Sequence, residues 1–297
     1  MIGIIILNYN TFSDTIKLVE DLQYQTLAND LQIVVVDNAS PNNSYMQLKP
    51  LEEQFSNVKV LQTGANLGYA KGNNFGLNYL NQNVKPIYVA ILNNDVYLPK
   101  NCFEKLIEKY QILDKPAIIA PLQKSIDGHV AILGNVFSFM DDILSQSFLY
   151  RVLNKNKIKL IDNTQMDAMK VEMITGSFMF SSFDIFKEIG FFYPNTFLYV
   201  EERFIAYAAK KKGYNNYVLL KEEYIHNHSL TINSLHNAYS KYKMVHKGII
   251  EYTIHCRNNG KLKAVILRPL MRLSLLEIKI VYWLKDLLKK INDYFKR

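Results

Sequence analysis

The sequence predicts an α/β fold, a mostly parallel sheet flanked by helices with a C-terminal helical extension. Short apolar runs of strand length alternate with helical patterns over about the first 110 residues, the arrangement that gives parallel strands joined by right-handed crossovers. Each run ends in polar residues. From about residue 235 the apolar positions become interleaved with lysines and arginines at helical spacing.

Residues 2–7 (IGIIIL) read as a buried strand that enters the polar loop Asn8-Tyr9-Asn10. Ser13 is placed to cap a helix over 14–25, with Ile16, Val19 and Leu22 on one face. Residues 32–36 (QIVVV) form a second buried strand, stopped by Asp37-Asn38-Ala39-Ser40-Pro41. A helix over 44–55 and a third strand at 58–62 follow. The segment Asn66–Asn74, rich in Gly and Asn, opens a helix running to 82, and a fourth strand (87–92) ends in Asn93-Asn94-Asp95. Further on, strands are expected at 117–121, 178–181 and near 217–220, with helices over 183–189 and 203–212 closed by Gly190 and Gly213. Gly128 to Asp167 follows no period and is taken as an excursion that could meet an acceptor. Pro269 is expected to divide the last stretch into two helical pieces.

A chain of 297 residues, 49% hydrophobic, suffices for one large domain with an appendage. The expected division is a catalytic domain over 1–232 and a helical extension over 233–297. Cys102 and Cys256 are far apart and in no CxxC pair, which argues against a disulfide framework and a cysteine zinc site. The first apolar run has no basic region before it and is too short for a signal peptide. A cytoplasmic protein, or one peripheral on the inner face of a membrane, is expected. Of the net charge of +8, residues 261–297 carry +7, ten basic residues against three acidic. The first 260 residues are thus near neutral, and nucleic acid is not an expected partner.

In open α/β sheets ligands bind at the carboxyl ends of the strands. Asn8–Asn10, Asp37–Ser40, Asn66–Asn74 and Asn93–Asp95 all fall there, and together outline a nucleotide site. Asp95 suits a hard cation held against a diphosphate, or else an Asx turn. Asp37 could accept from a pyrimidine N–H or a ribose hydroxyl, or close a turn; Tyr9 could stack on a base or fill the sheet edge. The glycines at 68, 72 and 76 match neither GxxxxGK[ST] nor GxGxxG, which argues against a kinase and a dehydrogenase. Glu201-Glu202 could deprotonate an attacking hydroxyl, or simply answer a helix dipole. His226 or His228 could face the site as a metal or phosphate ligand, or serve the fold.

With IIILNYN (4–10), VVVDNAS (34–40), NLGYAKGNNFG (66–76), ILNNDV (91–96), ITGSFMF (174–180), FLYVEERF (197–204) and IHNHS (225–229) in that order, the chain resembles family 2 glycosyltransferases of the GT-A, Rossmann-like fold. The similarity is greatest to the rhamnosyltransferase-like branch of bacterial polysaccharide (capsule, O-antigen) synthesis. The resemblance implies an inverting transfer from a nucleotide-sugar donor, dTDP-L-rhamnose before UDP-hexoses, to a glycan or lipid-linked glycan acceptor. It implies donor contacts at Asn8, Tyr9, Asn10, Asp37, Asn66, Gly68, Asn73, Asn94 and Asp95. It implies Mg²⁺ or Mn²⁺ at Asp95, with His226 or His228 closing over the diphosphate. Glu202 would be the catalytic base, with Glu201 beside it. The single aspartate of the DxD-like motif makes metal dependence an open point, and the glutamate at 202 stands where aspartate is common. The basic tail, 262–297, carries Tyr282 and Trp283 among its leucines and suits contact with an anionic membrane surface, a helical cap or an oligomer interface. A nucleotidyltransferase and a non-catalytic sugar-nucleotide-binding protein are the rival readings.

Overall fold

A computed structural model describes residues 1–131, 134–147, 150, 166–227 and 238–295. The chain forms two compact units, Met1–Val136 with Lys159–Thr231, and Phe137–Ile158 with Ile232–Arg297.

The first unit is built on one ten-stranded sheet. Its strands are β1 (Ile2–Asn8), β2 (Leu31–Asp37), β3 (Val58–Gln62), β4 (Tyr88–Leu92), β5 (Val96–Tyr97), β6 (Pro116–Lys124), β7 (Val130–Ala131), β8 (Ala168–Val171), β9 (Phe178–Ser182) and β10 (Asn215–His226). The order is β3-β2-β1-β4-β9-β6-β10-β5, with β7 on β6 and β8 on β10. Strands β3, β2, β1 and β4 are mutually parallel, and β9 is antiparallel to both β4 and β6. The chain runs outward from β1 to β3 and then returns to the other side of β1 at β4, so a switch point lies there. The apolar runs are continuous because both faces are covered: Ile4, Ile5 and Ile6 are all buried, as are Val34, Val35 and Val36. Register lines up Asn8 with Asp37, and Asp37 with Gln62, across the carboxyl edge.

The helices of this unit are α1 (Phe12–Leu22), α2 (Ser44–Leu48), α3 (Leu51–Gln54), α4 (Gly68–Asn83) and α5 (Cys102–Ile112), and, after α6 of the second unit (Phe139–Leu144), α7 (Phe183–Glu188) and α8 (Glu201–Lys211). Several helix boundaries differ from the sequence reading. Helix α1 starts at Phe12 behind Thr11 rather than after Ser13 and ends at Leu22 rather than 25, with Thr15, Leu18, Val19 and Leu22 as its buried residues. The helix expected over 44–55 is two short ones, broken where Pro50 has no N–H to donate. Helix α8 starts at Glu201, so both glutamates stand in its first turn, where the dipole favours them.

The second unit holds α6, α9 (Ala238–Cys256) and α10 (Gly260–Phe295). It therefore combines residues 137–158 with the tail, whereas the expected extension comprised the tail alone. Pro269 does not divide α10. Ala264, Leu267, Met271, Ser274 and Ile278 form a buried seam spaced 3 and 4 apart along it, and α10 packs on α9. Pro269 lies on the exposed side, where the carbonyl deprived of its donor meets water, and the seam holds the helix through it.

Candidate active site

Asp37 is the hub of the sheet's carboxyl edge. It is 0% exposed, and it accepts from Asn8 Nδ2 (2.8 Å), Ser40 Oγ (2.6 Å), the Ser40 N–H (3.2 Å) and Gln62 Nε2 (3.2 Å). Those four donors use the acceptor capacity of a carboxylate. Gln62 is the exposed member and so the one a ligand can replace. Asn8 Oδ1 accepts from Thr15 Oγ1 at 2.9 Å, so Asn8 is a buried spacer between Asp37 and α1. Asn10, left-handed at φ 66°, donates its N–H to Ser40 Oγ. Tyr9, half-buried, sits between them.

The next loop is wired to this edge by Asn38. Its Nδ2 donates to Asn66 Oδ1 and to the Gly68 carbonyl, and its Oδ1 accepts from the Leu67 N–H. Gly68 has φ 77°, and a Cβ there would lie 2.3 Å from the Phe197 carbonyl oxygen, so only glycine fits. The following N–H, of Tyr69, donates to that same carbonyl at 2.6 Å. The start of α4 thereby grips the segment that leads into Glu201. Asn73 is buried within α4 and donates to the Tyr69 carbonyl. Asn94 turns toward α1, donating to Thr11 Oγ1 (2.7 Å) and Thr15 Oγ1 (2.9 Å).

Asp95 and His226 meet. Asp95 Oδ1 is 3.1 Å from His226 Nε2, and the Asn227 N–H donates to the Asp95 carbonyl. His226 Nδ1 faces Gln123 Nε2 at 3.1 Å, while Gln123 Oε1 accepts from Ser177 Oγ and Tyr224 OH. With Oε1 taken by those hydroxyls, Gln123 Nε2 donates to Nδ1, which places the neutral ring's proton on Nε2, facing Asp95; a cation at Nε2 would need that proton moved to Nδ1 and the Gln123 amide turned. His228 lies outside the described residues. No cluster of three or more His, Cys, Asp or Glu side chains suited to a metal occurs among the described residues. The donor set is therefore one carboxylate and one imidazole. That fits a divalent cation which takes its remaining ligands from a diphosphate and water. The 3.1 Å separation is that of a hydrogen bond from the ring to Asp95 Oδ1.

Glu201 and Glu202 follow two consecutive left-handed residues, Tyr199 (φ 72°) and Val200 (φ 74°). A β-branched residue in that region is strained, by about 1–3 kcal/mol, and such strain collects at functional sites. Glu201 is 3% exposed, and its Oε1 has no hydrogen-bond partner among the described residues. Burial, then the neighbouring Glu202 charge, raises its pKa well above the usual carboxylate range. Glu202 keeps partial exposure and accepts from the Gly176 N–H at 3.2 Å. Burial raises its pKa too, opposed by the backbone donors and by Arg203.

Thr175-Gly176-Ser177 links the two halves of the site. The Gly176 N–H reaches Glu202, its carbonyl accepts from Tyr69 OH at 2.5 Å, the Ser177 carbonyl accepts from the Asn93 N–H, and Ser177 Oγ reaches Gln123 behind His226. Tyr69, Gly176 and Gln123 were not singled out by sequence reasoning. The first two lie within the quoted motifs, and Gln123 is a lone polar side chain in an apolar strand, a detectable but weak signal.

The family model for glycosyl transferase family 2 matches residues 3–190. The chain belongs to that family and is an inverting glycosyltransferase that uses a nucleotide-sugar donor. Among its relatives, the low-salt glycan biosynthesis hexosyltransferase Agl10 of Haloferax volcanii is 23% identical over 241 residues, 81% of this chain and 72% of that one. The fold is shared with S. aureus TarS (residues 1–349) in complex with UDP-GlcNAc, at 15% identity and TM-score 0.56, covering 91% of this chain and 71% of that one. It is also shared with the mannosyltransferase PcManGT of Pyrobaculum calidifontis in complex with GDP-Man and Mn²⁺, at 11% identity and TM-score 0.55, covering 94% and 75%. The architecture is thus GT-A-like.

Proposed function

We propose that this glycosyltransferase moves a hexose from a UDP-linked donor to a glycan or lipid-linked glycan in cell-surface polysaccharide synthesis, with Glu202 as base and Asp95 and His226 as the diphosphate's metal site. The observation that carries it is the Thr175–Ser177 bridge, which joins the candidate base to the Asp95–His226 pair through a continuous set of hydrogen bonds. Hexose donors come ahead of dTDP-L-rhamnose because a relative is named a hexosyltransferase and solved structures of the same fold hold UDP-GlcNAc or GDP-Man.

Tyr9 and Asn10 flank the donor's nucleobase, and an N–H of that nucleobase reaches Asp37 by displacing Gln62 Nε2. Asn66 and Gly68 form the wall beside it, while Asn8, Asn73 and Asn94 shape the edge from behind. Bound at Asp95 and His226, Mg²⁺ or Mn²⁺ would supply neutralisation of the departing nucleoside diphosphate. Glu201 is the more deeply buried of the pair, and its burial favours the protonated form. Glu202 is then the ionised partner, its carboxylate fixed by Gly176 N–H, and it takes the proton of the acceptor hydroxyl as the oxygen attacks the anomeric carbon from the face opposite the leaving group.

The test is a thermal-shift screen against UDP-glucose, UDP-galactose, UDP-N-acetylglucosamine, GDP-mannose and dTDP-rhamnose, with and without Mn²⁺. A ligand that binds only the folded chain raises its melting temperature. A Mn²⁺-dependent shift with a UDP-hexose is the expected result. A shift with dTDP-rhamnose alone would restore the deoxysugar donor, and shifts unchanged by Mn²⁺ would remove the metal from Asp95 and His226.

A further inference from the structure

Helix α10 has two apolar faces. The seam from Ala264 to Ile278 is buried, while Leu262, Ile266, Leu273, Leu276, Ile280 and Leu287 are exposed. At 100° per residue these six fall on the side opposite the seam, in a stripe about 40 Å long. Lys261, Arg268, Arg272 and Lys279 recur at spacings of seven and four along one flank, between the seam and the stripe. Trp283, the single tryptophan of the chain and 62% exposed, stands on the margin between that flank and the stripe. At the same flank a cavity of about 250 Å³ opens between α9 and α10, lined by Lys247, Arg268, Arg272, Glu251 and Met271 among others. No ion pair engages Lys247, Arg268 or Arg272 among the described residues, and the Glu251 carboxylate lies 3.5 Å from His255 Nε2.

We infer that α9 and α10 dock the protein on an anionic phospholipid surface, with the apolar stripe entering the acyl boundary and the Lys247–Arg268–Arg272 cavity seating a lipid phosphate. An exposed apolar stripe bordered by cations, with an indole at the border, is the arrangement of helices that lie in a membrane interface. Charge favours this occupant over a second copy of the chain. In an antiparallel pair the cationic flanks would face each other, and in a parallel pair that flank would meet Lys263, Leu270, Glu277 and Val281, a single acid against four cations. The inference is independent of which sugar the first unit transfers.

Trp283 makes the test specific. The full-length chain is mixed with vesicles of phosphatidylcholine, or of phosphatidylcholine with phosphatidylglycerol, and emission and co-sedimentation are read together. The expected result is a blue shift and co-sedimentation with the anionic vesicles only, both weakened by salt. Lys247→Gln/Arg268→Gln/Arg272→Gln should bind at least about tenfold more weakly, with an unchanged melting temperature because all three side chains are exposed. Leu276→Ser/Ile280→Ser, which leaves the charge unaltered, should also weaken binding. Equal binding to neutral vesicles, undiminished binding by the triple variant, or a lipid-free blue shift that grows with protein concentration would overturn the proposal, the last in favour of a second copy.

Discussion

The Glu202 carboxylate accepts a hydrogen bond from the Gly176 backbone N–H at 3.2 Å, and a Cβ added at Gly176 would lie 2.8 Å from Glu202 Oε1. The peptide of Gly176 is held from its other side by Tyr69 OH, so it has little freedom to yield. The position of the proposed base is thus set by the absence of a side chain at residue 176.

Gly176→Ala should therefore push the Glu202 carboxylate out of place. Turnover should fall about tenfold or more, since a displacement of an ångström costs up to about a hundredfold in a positioned reaction. Donor-induced thermal shift should persist. The check is nucleoside diphosphate release beside the thermal shift; parallel loss of both would place Gly176 in donor binding instead.

Gly68→Ala should act on the fold as well as the site. It asks a Cβ to occupy the place of the Phe197 carbonyl at a left-handed φ. A loss of about 1–2 kcal/mol from backbone strain alone is expected, with the clash added, and denaturant titration of the variant reads it. Protease cleavage near 197–200, stronger in the variant, would show that the α4 grip holds that segment.

Glu201→Gln should stabilise the protein, with a pH signature. The folded-state pKa of Glu201 is raised by burial, so the folded chain holds this proton more tightly than the unfolded one does. The cost of the group is absent below the unfolded pKa of about 4.3 and grows as pH rises from there toward the folded value. The variant should melt a few degrees higher at neutral pH, at roughly 2–4 °C per kcal/mol, and the gain should vanish in acid. A gain that persists unchanged at low pH would contradict the assignment of the buried proton.

Glu202 as the proposed base sets the pH dependence of transfer. A base works deprotonated, and burial raises its pKa. The acid limb of kcat/KM should therefore lie above the ordinary glutamate range, with activity falling as pH drops through it. A limb at the ordinary value would point to a solvated carboxylate as the base.

The strands were legible because parallel strands covered on both faces are continuous apolar runs, as Ile4–Ile6 and Val34–Val36 are. The length of β10 was not, because its later half passes a register shift between Leu219 and Glu223 and carries Lys221, Glu222 and Glu223. Pro269 misled because a local rule about N–H groups was outweighed by a seam that only a partner helix reveals. At the site, Asp37, Asp95, Glu202 and His226 were readable as residue types at strand and helix ends. Their partners were not: Gln62, Gln123 and Gly176 act through contacts across the sheet, which no local pattern encodes.

The most direct measurement is nucleoside diphosphate release by Glu202→Gln compared with the native chain, using whichever donor gives the thermal shift and reading that shift on the same samples. The account predicts a fall of about 10²–10⁴ in release, the usual contribution of a general base, with the donor shift retained. Release near the native rate would contradict Glu202 as the base.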